Sequence, residues 1–180
     1  MENTGRLRPL DWVRSVPHAV TLMARRAIQL RHDRLGRLLG MSDGRSYVAF
    51  RETVTVTARP GGASPAVLQP RFRLRGMGRA GSRRHRLFWR VCVITTPFFV
   101  GLDGFRSKLW MCDPSTGDYA GLYEWDDATT ARAYADGLCG VLRLLSVPGS
   151  VSYELIPDCD VDAYLAACGT SATGTPGEVA

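Results

Sequence analysis

The chain has 180 residues, 45% of them hydrophobic and 22% charged, enough for one ordinary domain with its own core and too few to call for two. That composition excludes a collagen-like, coiled-coil or wholly disordered polypeptide. A net charge of +6 can point to nucleic acid or an anionic membrane, but 22 of the 23 basic residues are arginine, dispersed amid abundant glycine and alanine as GC-rich coding would leave them.

No recognition-helix, RRM or zinc-finger pattern accompanies the arginines, so no nucleic-acid partner is expected. No apolar run approaches the roughly 20 residues that span a bilayer, and MENTGRLRPLDWVR lacks the apolar stretch of a secretory signal. A cytoplasmic protein without stable membrane insertion is expected. Cys92, Cys112, Cys139, Cys159 and Cys168 are scattered, with no C-x-x-C pair and three histidines to assist them, so buried free thiols are expected and no metal site.

Residues 1–45 read as a helical arm. Ser15 can cap a helix with Pro17 in its first turn, and Val20, Met23, Ala27 and Leu30 fall on one face opposite Arg25 and Arg26. Leu35, Leu38 and Leu39 continue the pattern until Gly40. A basic amphipathic helix can lie on a membrane surface; packing against the body of the protein or a second subunit is the expectation. SYVAFRETVTVTA (46–58) is a strand by its β-branched alternation. PGGASP turns the chain, and AVLQPRFRLRG (66–76) is a second strand, with Pro70 arguing for an edge position or a late start.

GMGRAGSRR (76–84) is a flexible basic loop whose Ser82 can cap the next helix. HRLFWRVCVITTPFFVGL (85–102) places Leu87, Val91, Ile94 and Phe98 on one stripe and Phe88, Cys92, Thr95 and Phe99 beside it, predicting a mostly buried helix that Pro97 bends or ends. Its VCVITT segment also permits a strand. In GFRSKLWMCDPSTGDYAGLYEWDD (104–127), PSTG turns a β-hairpin. Lys108 then lies across from Tyr123, Trp110 from Gly121 and Arg106 from Trp125, all on one face. Phe105, Ser107, Leu109, Met111, Ala120, Leu122 and Glu124 occupy the other.

Asp126 or Asp127 caps a helix over 128–146 with the stripe Ala131, Tyr134, Ala135, Leu138, Leu142 and Leu145. Gly137 and Gly140 weaken it or let a neighbour approach. SVSYELIP (150–157) is a last strand, DCDVDAYLAACG (158–169) a short helix, and 169–180 has the composition of a disordered tail. The domain is thus 46–168. Its order of elements is that of a ferredoxin-like α+β fold, an antiparallel sheet with two helices on one face.

From about Leu87 to Leu165 the chain resembles small mono-oxygenases of the dimeric α+β-barrel superfamily, the YdhR-like branch near the antibiotic-biosynthesis mono-oxygenases. Residues 104–134 carry the likeness: G-hydrophobic-x-x-K-x-W, an acidic turn, G-hydrophobic-Y-x-aromatic-acidic, then a helix with A-x-A-Y. The resemblance implies a homodimer whose subunits join their open sheet faces around a small-molecule pocket. The cationic-aromatic hairpin face, which a monomer would leave in water, argues the same way. The N-terminal arm and the strand at 46–58 depart from the minimal pattern, and the family has no settled catalytic motif.

Lys108, the only lysine in the chain, is either a strand residue whose stem packs on Tyr123 or a compact ammonium kept to bind a carboxylate or enolate oxygen or to act as an acid. Trp110, Tyr119, Tyr123, Trp125, Tyr134 and Tyr153 are core residues or, as a set, the walls of a pocket for a flat substrate. Arg106, Arg90, Thr95 and Thr96 are candidate polar contacts, and His85 a candidate base. Glu124, across from Ser107, suits a structural hydrogen bond. No Ser-His-acid signature, P-loop, G-x-G-x-x-G or HEXXH pattern is present, so no nucleotide cofactor or tightly held metal is expected. Haem occurs in the superfamily, but no histidine lies in the hairpin or second helix to ligate it. The expected function is cofactor-independent oxidation, cyclisation or isomerisation of an apolar polyketide-like or aromatic substrate in secondary metabolism. A non-catalytic small-molecule-binding protein is the alternative.

Overall fold

The computed structural model describes residues 9–77 and 83–169, with the side chains of 9–14 and of His85 outside the description. In chain order the elements are α1 (Pro9–Ala24), β1 (Ile28–Arg31), β2 (Leu38–Gly40), β3 (Ser46–Thr55), β4 (Ala66–Phe72), α2 (Arg83–Ile94), α3 (Thr96–Val100), β5 (Phe105–Cys112), β6 (Tyr119–Trp125), α4 (Ala128–Leu145), β7 (Ser152–Pro157) and α5 (Val161–Cys168). One antiparallel sheet runs in the order β1-β3-β5-β6-β4-β7, with β2 on β3. Within it β4, β5, β6 and β7 are the four strands of a ferredoxin-like motif: the fourth lies beside the first, the first beside the third, and the third beside the second, with α2 and α4 in the crossovers. The expected fold class is the observed one. The sheet stays open and does not close into a barrel within the chain.

The hairpin register follows from its turn. Lys108 faces Tyr123 and Trp110 faces Gly121. Near the start of β5 a bulge between Phe105 and Ser107 makes Phe105, not Arg106, the partner of Trp125. Phe105 thereby joins the Lys108 side, its ring centroid 5.6 Å from that of Trp125.

Under the helices, Phe99, Phe105, Trp110, Tyr123, Trp125 and Tyr134 form one core cluster. On the opposite face Leu109, Met111, Ala120 and Leu122 pack against Val161, Tyr164 and Leu165 of α5. Both faces of the central strands are therefore buried within one chain. This corrects the expectation of a cationic-aromatic face left in water, and removes that ground for a dimer joined through it.

The helical arm is shorter than its apolar spacing implies. Helix α1 ends in a Schellman turn: Arg26 takes φ 54, its N–H donates to Met23 O at 3.0 Å, and Ala27 N–H donates to Leu22 O at 2.9 Å. Ile28–Arg31 and Leu38–Gly40 then pair with β3, so residues that read as a helical stripe are sheet edges. Ser15 lies inside α1 rather than capping it, and its hydroxyl donates to Phe98 O at 2.9 Å. Ala19 and Leu22 are buried while Val20 and Met23 are exposed, so the packed face is not the expected one.

Two further expectations change. Pro70 stands in β4 between β6 and β7, where the β4–β6 register skips Gln69 and Pro70; an irregular point of an interior ladder tolerates the missing donor. The 85–102 helix breaks at Thr95 into α2 and α3, and α2 is not mostly buried: Cys92 is 1% exposed, but Leu87 is 61% and Ile94 69%. Ser82 and the tail from 170 onward lie outside the described residues.

Helix α1 can reach α3 only because residue 101 lacks a side chain: a Cβ on Gly101 would stand 1.9 Å from Ser15 O. Gly101→Ala is expected to lift α1 from the body, with α1 amides exchanging faster while β5 and β6 keep their protection. Unchanged protection of α1 would contradict this packing.

Candidate functional site

Helices α2 and α3 on one side and α4 on the other flank a cavity of about 690 Å³ above the sheet. This is within the few hundred to about 1,000 Å³ usual for small-molecule sites. Its floor is Lys108, Trp110 and Tyr123; one wall has Phe88, Cys92, Thr95 and Phe99, the other Tyr134, Leu138 and Val141, with Asp136 and Arg143 as further charged lining. Gly137 and Gly140 line the cavity, and at Gly140 no neighbour approaches closely, since a Cβ there would meet nothing within 4 Å.

Lys108 is 3% exposed. Its Nζ lies 3.0 Å from the Trp110 ring centroid, 4.3 Å from that of Phe99 and 4.4 Å from that of Tyr123. Among the described residues no carboxylate acts on it: burial pushes the amine well below the ordinary lysine range, Cys92 opposes this and Arg51 adds to it. The ring faces favour the cation, whereas burial disfavours it and is the largest cause of the lowering. Desolvation therefore outweighs the rings, and a neutral amine is accessible here at a pH where an exposed lysine stays charged.

The neighbouring groups keep their protons. Burial raises the Cys92 thiol to about 12, so it is a poor nucleophile. Tyr123 and Tyr134 hydrogen-bond to each other, and burial holds both hydroxyls above their ordinary range. Among the buried donors without an acceptor in the described residues are Trp110 Nε1 and the hydroxyl of Thr53, which lies on β3 directly across from Lys108.

Of the residues singled out from sequence, Lys108, Trp110, Tyr123, Tyr134 and Thr95 meet at this cavity. Arg106 does not: the bulge releases it to a bidentate pair with Asp126, both N–O distances 2.6 Å, and to Thr57 O at 2.8 Å. Arg90 is exposed on α2, and the side chain of His85 lies outside the description. Tyr119 packs on Phe72 and Phe88 with centroids at 5.7 and 4.4 Å, Trp125 sits behind Tyr134 at 4.9 Å, and the Tyr153 hydroxyl donates to Asp136 at 3.4 Å from β7. These three are framework. Glu124 is structural as expected, accepting the Val161 N–H at 3.2 Å. The Phe88-Cys92-Thr95-Phe99 stripe was visible in the sequence, but as core; its role as a cavity wall was not.

All five cysteines are free. Among the described residues no His, Cys, Asp or Glu cluster could hold a metal, and no helix is long and apolar enough to cross a membrane. No protein-family model matches the chain, and no curated protein matches it. Among solved structures it is similar to a monooxygenase-like protein from Listeria innocua, at 12% identity and TM-score 0.43 over 66% of this chain and 68% of that one. It is also similar to an uncharacterized ferredoxin-fold protein related to antibiotic biosynthesis monooxygenases from Listeria monocytogenes, at 11% identity and TM-score 0.45 over 80% and 89%. At such distances neither activity nor substrate carries over; the fold assignment rests on strand order and connectivity.

Because the folded amine releases its proton below 10.5, the unfolded chain binds more protons between that lowered value and 10.5, and stability must rise with pH across the interval. The slope is at most about 1.4 kcal/mol per pH unit. Lys108→Met is expected to lose this slope and to be more stable than wild type at neutral pH. Urea unfolding that shows the same pH dependence in both proteins would contradict the burial of an uncompensated amine.

Proposed function

We propose that this chain is an enzyme of the monooxygenase-like α+β type that works without a bound cofactor on an apolar aromatic or polyketide-like substrate. The observation that supports this reading is a buried amine, unpaired with any carboxylate, on the floor of an apolar cavity. Such an amine is suited to act as a base rather than as the acid its charge alone suggested. It takes a proton from a substrate phenol or from a carbon beside a carbonyl, and the new ammonium gains in the substrate anion the counter-ion that the protein does not supply.

From that anion three outcomes are open with the same residues. Reprotonation at another carbon is isomerisation, and attack on an electrophilic carbon of the same molecule is cyclisation. Transfer of one electron to dioxygen gives a substrate radical and superoxide; their combination forms a C–O bond, and the Lys108 ammonium returns its proton to the peroxide. A homodimer belongs to this reading, assembled through a surface other than the buried hairpin face.

A nitronaphthol, whose phenolate absorbs in the visible, tests the proton transfer directly. Wild type is expected to bind it as the phenolate below the pH at which the free phenol ionises. Lys108→Met should bind it neutral and more weakly by about 1.5–3 kcal/mol, the worth of a charge-assisted hydrogen bond. Equal binding of the neutral phenol by both proteins would sink the assignment. Aerobic turnover of phenolic polyketides by metal-free wild type, lost in the variant, marks an enzyme; phenolate binding without turnover marks a binding protein.

A further inference from the structure

We infer that Lys108 forms an imine with a carbonyl group of its ligand, so that the cavity takes apolar aldehydes or ketones. The inference rests on the small-molecule reading of the same cavity and specifies its chemistry. Addition to a carbonyl carbon needs an amine with a free lone pair, held where water is scarce and no carboxylate keeps it protonated. Lys108 meets these conditions: it is 3% exposed, lies on the floor of the 690 Å³ cavity, and has rings rather than carboxylates around Nζ.

The step balances without a further reagent. The nitrogen lone pair adds to the carbonyl carbon, both amine protons move to the carbonyl oxygen, and that oxygen leaves as water while the C=N bond replaces C=O. Protonation of the imine yields a cation that the Trp110, Phe99 and Tyr123 faces stabilise as they do the ammonium. The burial of Lys108 limits access of the water that would hydrolyse it. The iminium also acidifies the adjacent C–H bond, which is the activation an isomerisation or cyclisation requires.

Reductive trapping is unusually clean here because the chain has a single lysine, leaving the N-terminal amine as the only other primary amine of this kind. Full-length protein is incubated with cinnamaldehyde and cyanoborohydride at neutral pH, then examined by intact mass and peptide mapping. The expected result is one cinnamyl adduct on the peptide bearing Lys108, absent from Lys108→Met and suppressed by saturating nitronaphthol. Circular dichroism confirms that the variant is folded. Adduct confined to the N-terminus would overturn the imine inference. If cinnamaldehyde displaces nitronaphthol without labelling Lys108, the cavity binds carbonyl compounds but the imine fails; if it neither labels nor displaces, the carbonyl inference fails, and the small-molecule reading is overturned only if nitronaphthol itself does not bind.

Discussion

Surrounding the amine of Lys108 with three aromatic rings rather than a carboxylate is costly in free energy, and much of the chain serves to keep it there. The arginines show the contrast. Arg106 pairs with Asp126, Arg73 with Asp118, and Arg34 with Glu52, each near a carboxylate that offsets its charge. Lys108 has only polarizable faces, worth less than the hydration it gives up. A local packing device helps to form this aromatic surround: Gly121, opposite Trp110, leaves room for the Tyr123 ring, whose Cε2 would lie 2.8 Å from a Cβ there.

The departure from the minimal ferredoxin-like pattern completes the burial. In a sheet of β4, β5, β6 and β7 alone, β5 would be an edge strand with unpaired backbone groups. Here β3 pairs with it, setting Thr53 across from Lys108 and Arg51 across from Trp110, and β1 and β2 extend the sheet beyond β3. The strand carrying the amine thus becomes interior. On the reverse face Arg34 joins Glu52 to Asp162, tying the same added strand to α5. The N-terminal segment is therefore part of the structure that defines the site.

The sequence made the ferredoxin-like order and the hairpin register legible because both depend on local chemistry: the PSTG turn, and the Asp127 cap whose carboxylate accepts the Thr130 N–H at 2.8 Å. What stayed hidden depends on partners distant in the chain. The bulge at Arg106 is tied to its pairing with Asp126 and the carbonyls of Thr57 and Ala58. The strands at Ile28 and Leu38 need β3 beside them, and the Schellman turn at Arg26 carries no glycine to announce it. The apolar side chains of α2 read as core, yet Leu87, Val93 and Ile94 are exposed away from the cavity, and Phe88, Val91 and Cys92 line it. The cluster around Lys108 was legible as residues; its burial, which decides its chemistry, was not.

The ionisation of that one amine is the most direct test. With lysine labelled by ¹⁵N at Nζ, the protein gives a single side-chain ammonium signal, since Lys108 is the only lysine, and its shift can be followed through a pH titration of the native fold. A midpoint well below the ordinary 10.5 is the result that burial without a counter-ion requires. A midpoint at or above 10.5 would mean that the amine stays a cation in the folded chain, and the chemistry assigned to the cavity would fall with it.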